Sequence, residues 1–227
     1  MAITHGNTIP SGVKAIADTT YGKGTRGGLL HNLGGNDPIS WSGTSSDLSS
    51  TGITSGSTWT SQTTSILDTD NHSIFFRIKF NSSGTYPNGH TGSWNKIFEF
   101  NGSSGDRSPG VWRYPSERRI HWRYNPSNTG IDFYGNTANN AQFTIGQWYF
   151  IGVTKDGANG VSYVNGVQNS STSGLANPKQ SGSATIRLFP GYPSGLGEMN
   201  NLYIFNRTLS ADEVLSLYNK LESHMGL

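Results

Sequence analysis

Residues 146–168 read GQWYFIGVTKDGANGVSYVNGVQ, and this stretch decides the fold. Two apolar-rich runs are separated by Lys155-Asp156-Gly157, and the second run ends at Asn165-Gly166. Asp-Gly and Asn-Gly suit turns with positive φ, which the right-handed twist of a β-hairpin demands. Downstream, residues 197–222 read GEMNNLYIFNRTLSADEVLSLYNKLE and change period. The first part alternates like a strand. Val214, Leu217, Tyr218 and Leu221 then fall at i, i+3, i+4 and i+7, one face of a helix. Ser210 and Glu213 supply a capping box and Leu209 with Val214 a hydrophobic staple, which predicts a helix from Ala211 to about Leu221.

Together these residues resemble the concanavalin A-like lectin/glucanase superfamily, in particular laminin-G-like domains whose last strand is followed by a short helix. The likeness is carried by the strand Trp148 to Val153, the hairpin Tyr163-Val164-Asn165-Gly166 and the closing stretch Gly197 to Tyr218. His72 to Phe80, HSIFFRIKF, looks like the early core strand of that family. The resemblance spans about residues 65–220. It implies an all-β fold, a two-sheet antiparallel jelly-roll sandwich with one short C-terminal helix. Trp148, Phe150 and Tyr163 are expected in its interior or at its rim, alternation leaving the inward face open. No single activity follows, because the fold hosts lectins, hydrolases, adhesion modules and virus particle proteins.

Composition agrees with such a domain. A chain of 227 residues can form one all-β unit that buries about 70% of its unfolded surface. Thirty glycines imply many turns. The net charge of +2, with only 13% charged residues, gives no bulk attraction to nucleic acid or membrane. The absence of cysteine excludes disulfides and thiolate metal sites. No apolar run reaches the roughly 18 residues of a membrane span. MAITHGNTIPSGVK lacks the early charge and apolar run of an export signal, and the expected setting is a virion assembled in the host cytoplasm.

Residues 1–64 differ from residues 65–227 in being rich in Gly, Ser and Thr. They read as an arm, with one or two strands joining the sandwich near Ser40 to Ile53. The anchors expected in the arm are Ile9, Val13, Ile16, Leu29 and Leu30, with Lys14, Lys23 and Arg26 meeting acidic surface. A homo-oligomer, with a trimer as the first expectation, and a capsid or other virion protein are the implied partners.

Glycoside cleavage generally needs two carboxyl groups about 5 to 9.5 Å apart. Glutamates occur only at 99, 117, 198, 213 and 222, none with an acidic residue two or four positions away. Asp68 and Asp70 have the spacing but stand in turn-forming company. The reading is therefore non-catalytic, with no catalytic residue and no cofactor. Many members of the resembling family hold calcium near the closing strand, where this chain has Glu198-Met199-Asn200-Asn201. Asn keeps the oxygens but loses charge, so no tight metal site is expected, although Asp68, Asp70, Asp132 and Glu198 could converge.

Residues 110–125, GVWRYPSERRIHWRYN, form the remaining constellation. They read as a hairpin turning at Pro115-Ser116-Glu117. Trp112 and Tyr114 share one face of the first strand, opposite Val111 and Arg113. In the second strand Ile120, Trp122 and Tyr124 oppose Arg119, His121 and Arg123. If the aromatic faces coincide they make either core or a stacking platform, with the arginines as a cationic stripe. Trp112, Arg113, Tyr114, Arg119, Trp122 and Arg123 are the candidate ligand-binding residues, set against the ordinary role of such aromatics in packing sheets. Three functions follow in order: a bacteriophage decoration, cement or fibre-type subunit, a module binding cell-surface glycans, and a glycoside hydrolase.

Overall fold

The computed structural model describes residues 41–43, 52–56, 58–61, 70–82, 92–101, 109–124, 128–136, 141–177 and 184–225, with short strands before residue 50. Those strands are β1 (Ile3–Thr4), β2 (Asn7–Thr8), β3 (Val13–Ala17), β4 (Thr25–Arg26), β5 (Leu29–Leu30), β6 (Trp41–Ser42) and β7 (Leu48–Ser49). There follow β8 (Gly52–Thr54), β9 (Trp59–Ser61), β10 (His72–Phe80), β11 (Asn95–Asn101), β12 (Gly110–Arg113), β13 (Ile120–Tyr124) and β14 (Thr129–Phe133). The chain closes with β15 (Trp148–Asp156), β16 (Asn159–Val164), β17 (Val167–Thr172), β18 (Thr185–Leu188), β19 (Gly197–Phe205) and α1 (Ala211–Met225). Two antiparallel sheets form an open sandwich. The first has the order β17-β16-β15-β10-β19-β8-β7, with β3 also on β19, and the second β14-β13-β12-β11-β18-β9-β6.

Alternation sorts side chains into two cores. Ile74, Phe76, Ile78 and Phe80 of β10 and Tyr149, Ile151 and Val153 of β15 point between the sheets, against Phe98, Trp122 and Phe133 of the second. Phe75, Phe150, Tyr163, Tyr203 and Phe205 point outward from the first sheet, where Leu209, Val214, Leu217 and Leu221 cover them. The helix thus makes a second core, which explains why eight of the nine residues of β10 are buried. Phe150 and Tyr163 therefore fill the core beneath the helix, and Trp148 stands at its rim beside Arg77 and Lys79.

The local signals are realised in detail. Asn165 and Gly166 have φ of 51° and 77° between β16 and β17, as a turn with two left-handed residues requires. The preceding turn is Gly157-Ala158, since Asp156 still pairs with Asn159. At the helix start, the Glu213 amide donates to Ser210 Oγ at 3.3 Å and the Ser210 amide to Glu213 Oε2 at 2.9 Å. Hydrogen bonds from Arg207 hold the Glu213 carboxyl down at about 2. The helix runs four residues past Leu221, to Met225.

Residues 1–64 contribute β3 and β6 to β9 to the two sheets, and Trp41, Ile53 and Trp59 to the core between them. The side chains expected there as anchors lie outside the described residues, as does Asp68. Among the described residues no helix is long and apolar enough to cross a membrane.

Candidate functional site

Register decides what the β12–β13 hairpin displays. Val111 lies opposite Trp122, Trp112 opposite His121, and Arg113 opposite Ile120. The aromatic faces therefore do not coincide, because directly opposed residues share a face. Trp122 belongs to the inter-sheet core, stacked 6.1 Å from Phe76. Arg113 is also fully buried, its guanidinium 5.4 Å from the Phe80 ring centre and Nη1 3.4 Å from Tyr192 Oη. Both are corrected as ligand-contact residues, since neither reaches the surface. Trp112 keeps to the outer face but is covered, with Lys96 Nζ 5.9 Å from its ring centre.

Tyr114, Arg119 and Arg123 stand on the outer face of the second sheet, joined by His121, Asp132 and Tyr134 through the pairing of His121 with Asp132. Asp132 is the hub. Tyr114 Oη donates to its Oδ2 at 2.6 Å, while Arg123 Nη1 lies 2.7 Å and His121 Nδ1 3.1 Å from its Oδ1. Burial pushes this carboxyl up, but the bonds from His121, Arg123 and Tyr114 outweigh it and hold it well below the ordinary range. Conversely, burial and the bond to Asp132 push the Tyr114 phenol up to about 12. Gly130 allows this arrangement, because a Cβ there would come within 2.4 Å of the Arg123 side chain.

Trp94 completes the site and was not among the residues expected from sequence. It is 50% exposed, with its ring centre 4.5 Å from Tyr114 and 4.7 Å from His121. On the other flank, Arg119 Cζ lies 3.6 Å from the Tyr114 ring centre and Nη1 donates to Tyr134 Oη at 2.8 Å. The one available signal was an isolated Trp between Ser93 and Asn95, large and apolar in polar company.

The other carboxylates are committed elsewhere. Glu99 is fully buried between Lys96 and Arg187, at 2.6 and 2.5 Å. Glu198 accepts from Asn81 at 2.8 Å and pairs with Lys79 at 2.7 Å, and Asp70 accepts from Asn177 at 2.8 Å. Asp70, Asp132 and Glu198 thus have separate partners rather than a shared centre. Among the described residues no three acidic or His side chains gather as metal ligands.

Comparison with known proteins adds the family. The model of the concanavalin A-like lectin/glucanases superfamily matches residues 33–215. The fold is similar to Trypanosoma rangeli sialidase at 12% identity and TM-score 0.64, over 94% of this chain and 33% of the sialidase. It is similar to a mutant of HCR/D at 15% identity and TM-score 0.69, over 95% of this chain and 54% of that one. For the botulinum neurotoxin serotype G binding domain the values are 19% and 0.61, over 92% and 51%. This chain spans about a third of the sialidase and about half of the other two. No curated protein matches it by sequence.

Proposed function

We propose that this chain, which belongs to the concanavalin A-like lectin/glucanase superfamily, is a non-catalytic lectin-like module that binds a glycan on the outer face of its second sheet. The observation that carries the reading is Trp94, half exposed and braced edge to edge by Tyr114 and His121. An indole held in this way offers a flat apolar surface to the C–H face of a sugar ring, while Arg119, Arg123 and Lys96 around it supply donors for hydroxyls. The non-catalytic part is supported by the carboxylates of this face. Asp132 has both oxygens engaged, and Glu99 is enclosed by two cations. Neither is free to act as acid or nucleophile in glycoside cleavage.

Trp94→Ala is expected to weaken glycan binding at least about tenfold, equivalent to roughly 1.4 kcal/mol, while altering stability by less than about 0.5 kcal/mol. A glycan array followed by titration of the best ligand measures the first, and thermal unfolding the second. Unchanged affinity in the variant would sink the platform.

The setting we propose is a bacteriophage virion, with the module displayed as a decoration or fibre-type subunit of a homo-oligomer, a trimer first. That part is supported by composition: a cysteine-free chain and a Gly-, Ser- and Thr-rich first 64 residues. A mass-spectrometric inventory of purified particles tests it. Stoichiometric abundance supports decoration, a few copies support an adhesin, and absence removes the virion from the proposal.

A further inference from the structure

The charges on the outer face of the second sheet are arranged asymmetrically. Its carboxylates are recessed and neutralised: Glu99 is completely buried under Lys96 and Arg187, and Asp132 is held by Arg123, His121 and Tyr114. Its cations keep a solvent side, with 34% of the Arg187 side chain, 23% of Lys96 and 21% of Arg119 exposed. Glu117 is the remaining carboxylate near Arg119, and at 3.7 Å from Nε it makes no hydrogen bond there. A ligand approaching this face meets cationic groups before anionic ones.

Arg119 is the best placed of them. Its guanidinium is fixed against the Tyr114 ring and by the bond to Tyr134, so little side-chain entropy remains to be lost on binding. Trp94 packs on the same Tyr114 ring. Its centre therefore lies within the sum of 4.5 and 3.6 Å of the Arg119 Cζ, a reach that one sugar residue and its substituent can cover. We infer that the ligand of this face is an acidic saccharide, its ring on Trp94 and its carboxylate or sulfate group on Arg119. This inference rests on the glycan-binding reading above.

The test uses the whole chain and three soluble polymers: polygalacturonate, carrying carboxylates only, dextran sulfate, carrying sulfates only, and neutral dextran. Binding to at least one acidic polymer should exceed binding to dextran, and should weaken as salt rises from about 50 to about 500 mM, because added ions shorten the range of charge attraction. Arg119→Met should weaken acidic binding about ten- to hundredfold, the loss of one or two charge-assisted hydrogen bonds. Lys220→Met, on the helix at the opposite side of the sandwich, should leave it unchanged. The ranking of the two acidic polymers identifies the anionic group. An equal loss in the Lys220 variant would mean diffuse attraction to a polyanion and overturn the site. Dextran binding as tight as acidic binding, and indifferent to Arg119→Met, overturns this inference while leaving the glycan reading standing. If neither these polymers nor any array glycan binds, both fall.

Discussion

Trp122→Ala is expected to lower the free energy of unfolding by about 3–5 kcal/mol, through lost transfer energy and the cavity left behind. The ring has no exposed surface and lies among Phe76, Phe98 and Phe133, 6.1 Å from the first and 6.4 Å from the last. It comes from the middle of the second sheet and packs on the middle of the first, so neighbours on both sides lose contacts and the rigid sheets can collapse only in part. Domains of this kind are stable by about 5–15 kcal/mol in total, so one side chain accounts for a large share. Urea denaturation should show a lower midpoint with the slope retained, the signature of lost stability rather than of a changed denatured state. Trp122→Phe should recover part of the loss. A cost for Trp122→Ala below about 1 kcal/mol would reverse the assignment of faces in the hairpin, and with it the site built on His121 and Arg119.

That dependence shows where sequence reasoning reached its limit. The turn at Asn165-Gly166, the Ser210 cap and the Leu209–Val214 staple were readable because each is a contract among residues a few positions apart. Within each strand of the hairpin, alternation separated the faces as the structure has them. The pairing of the faces was not readable. It is set by the six-residue connection from Tyr114 to Arg119, and a shift of one position would have brought Trp112 and Trp122 to the same side. Likewise the tie from Tyr114 to Asp132 crosses two strands, and Trp94 reaches Tyr114 from outside the hairpin altogether. A site assembled across strands is specified by register, which local pattern leaves open. The same applies to β15. Its residues Trp148 to Val153 are apolar on both faces because a helix more than fifty positions later covers the outer one, so alternation alone offered no choice of inward side.

The second core makes Phe150→Ala the other large effect, about 3–5 kcal/mol. Phe150 stacks on Phe75 at 5.2 Å and on Tyr218 of the helix at 6.1 Å, with Tyr203 edge-on at 6.4 Å. A helix of 15 residues is marginal by itself in water, since nucleation is costly and each further residue adds little. The helix α1 therefore depends on the apolar face that Val214, Leu217 and Leu221 set against this ring. Removing the ring takes support from both partners at once, and the helical signal in circular dichroism should melt at a lower temperature than in the parent chain. The ligand face lies on the opposite sheet, separated from Phe150 by the inter-sheet core, so glycan affinity measured well below the new melting temperature should be unchanged. Two outcomes would count against this division of labour. A cost below about 1 kcal/mol would mean that the helix settles into the space and that the second core is soft. A parallel loss of affinity would mean that the helix-bearing face and the ligand-bearing face are coupled through the sandwich, and that the outer surface of the second sheet owes its geometry to more than its own register.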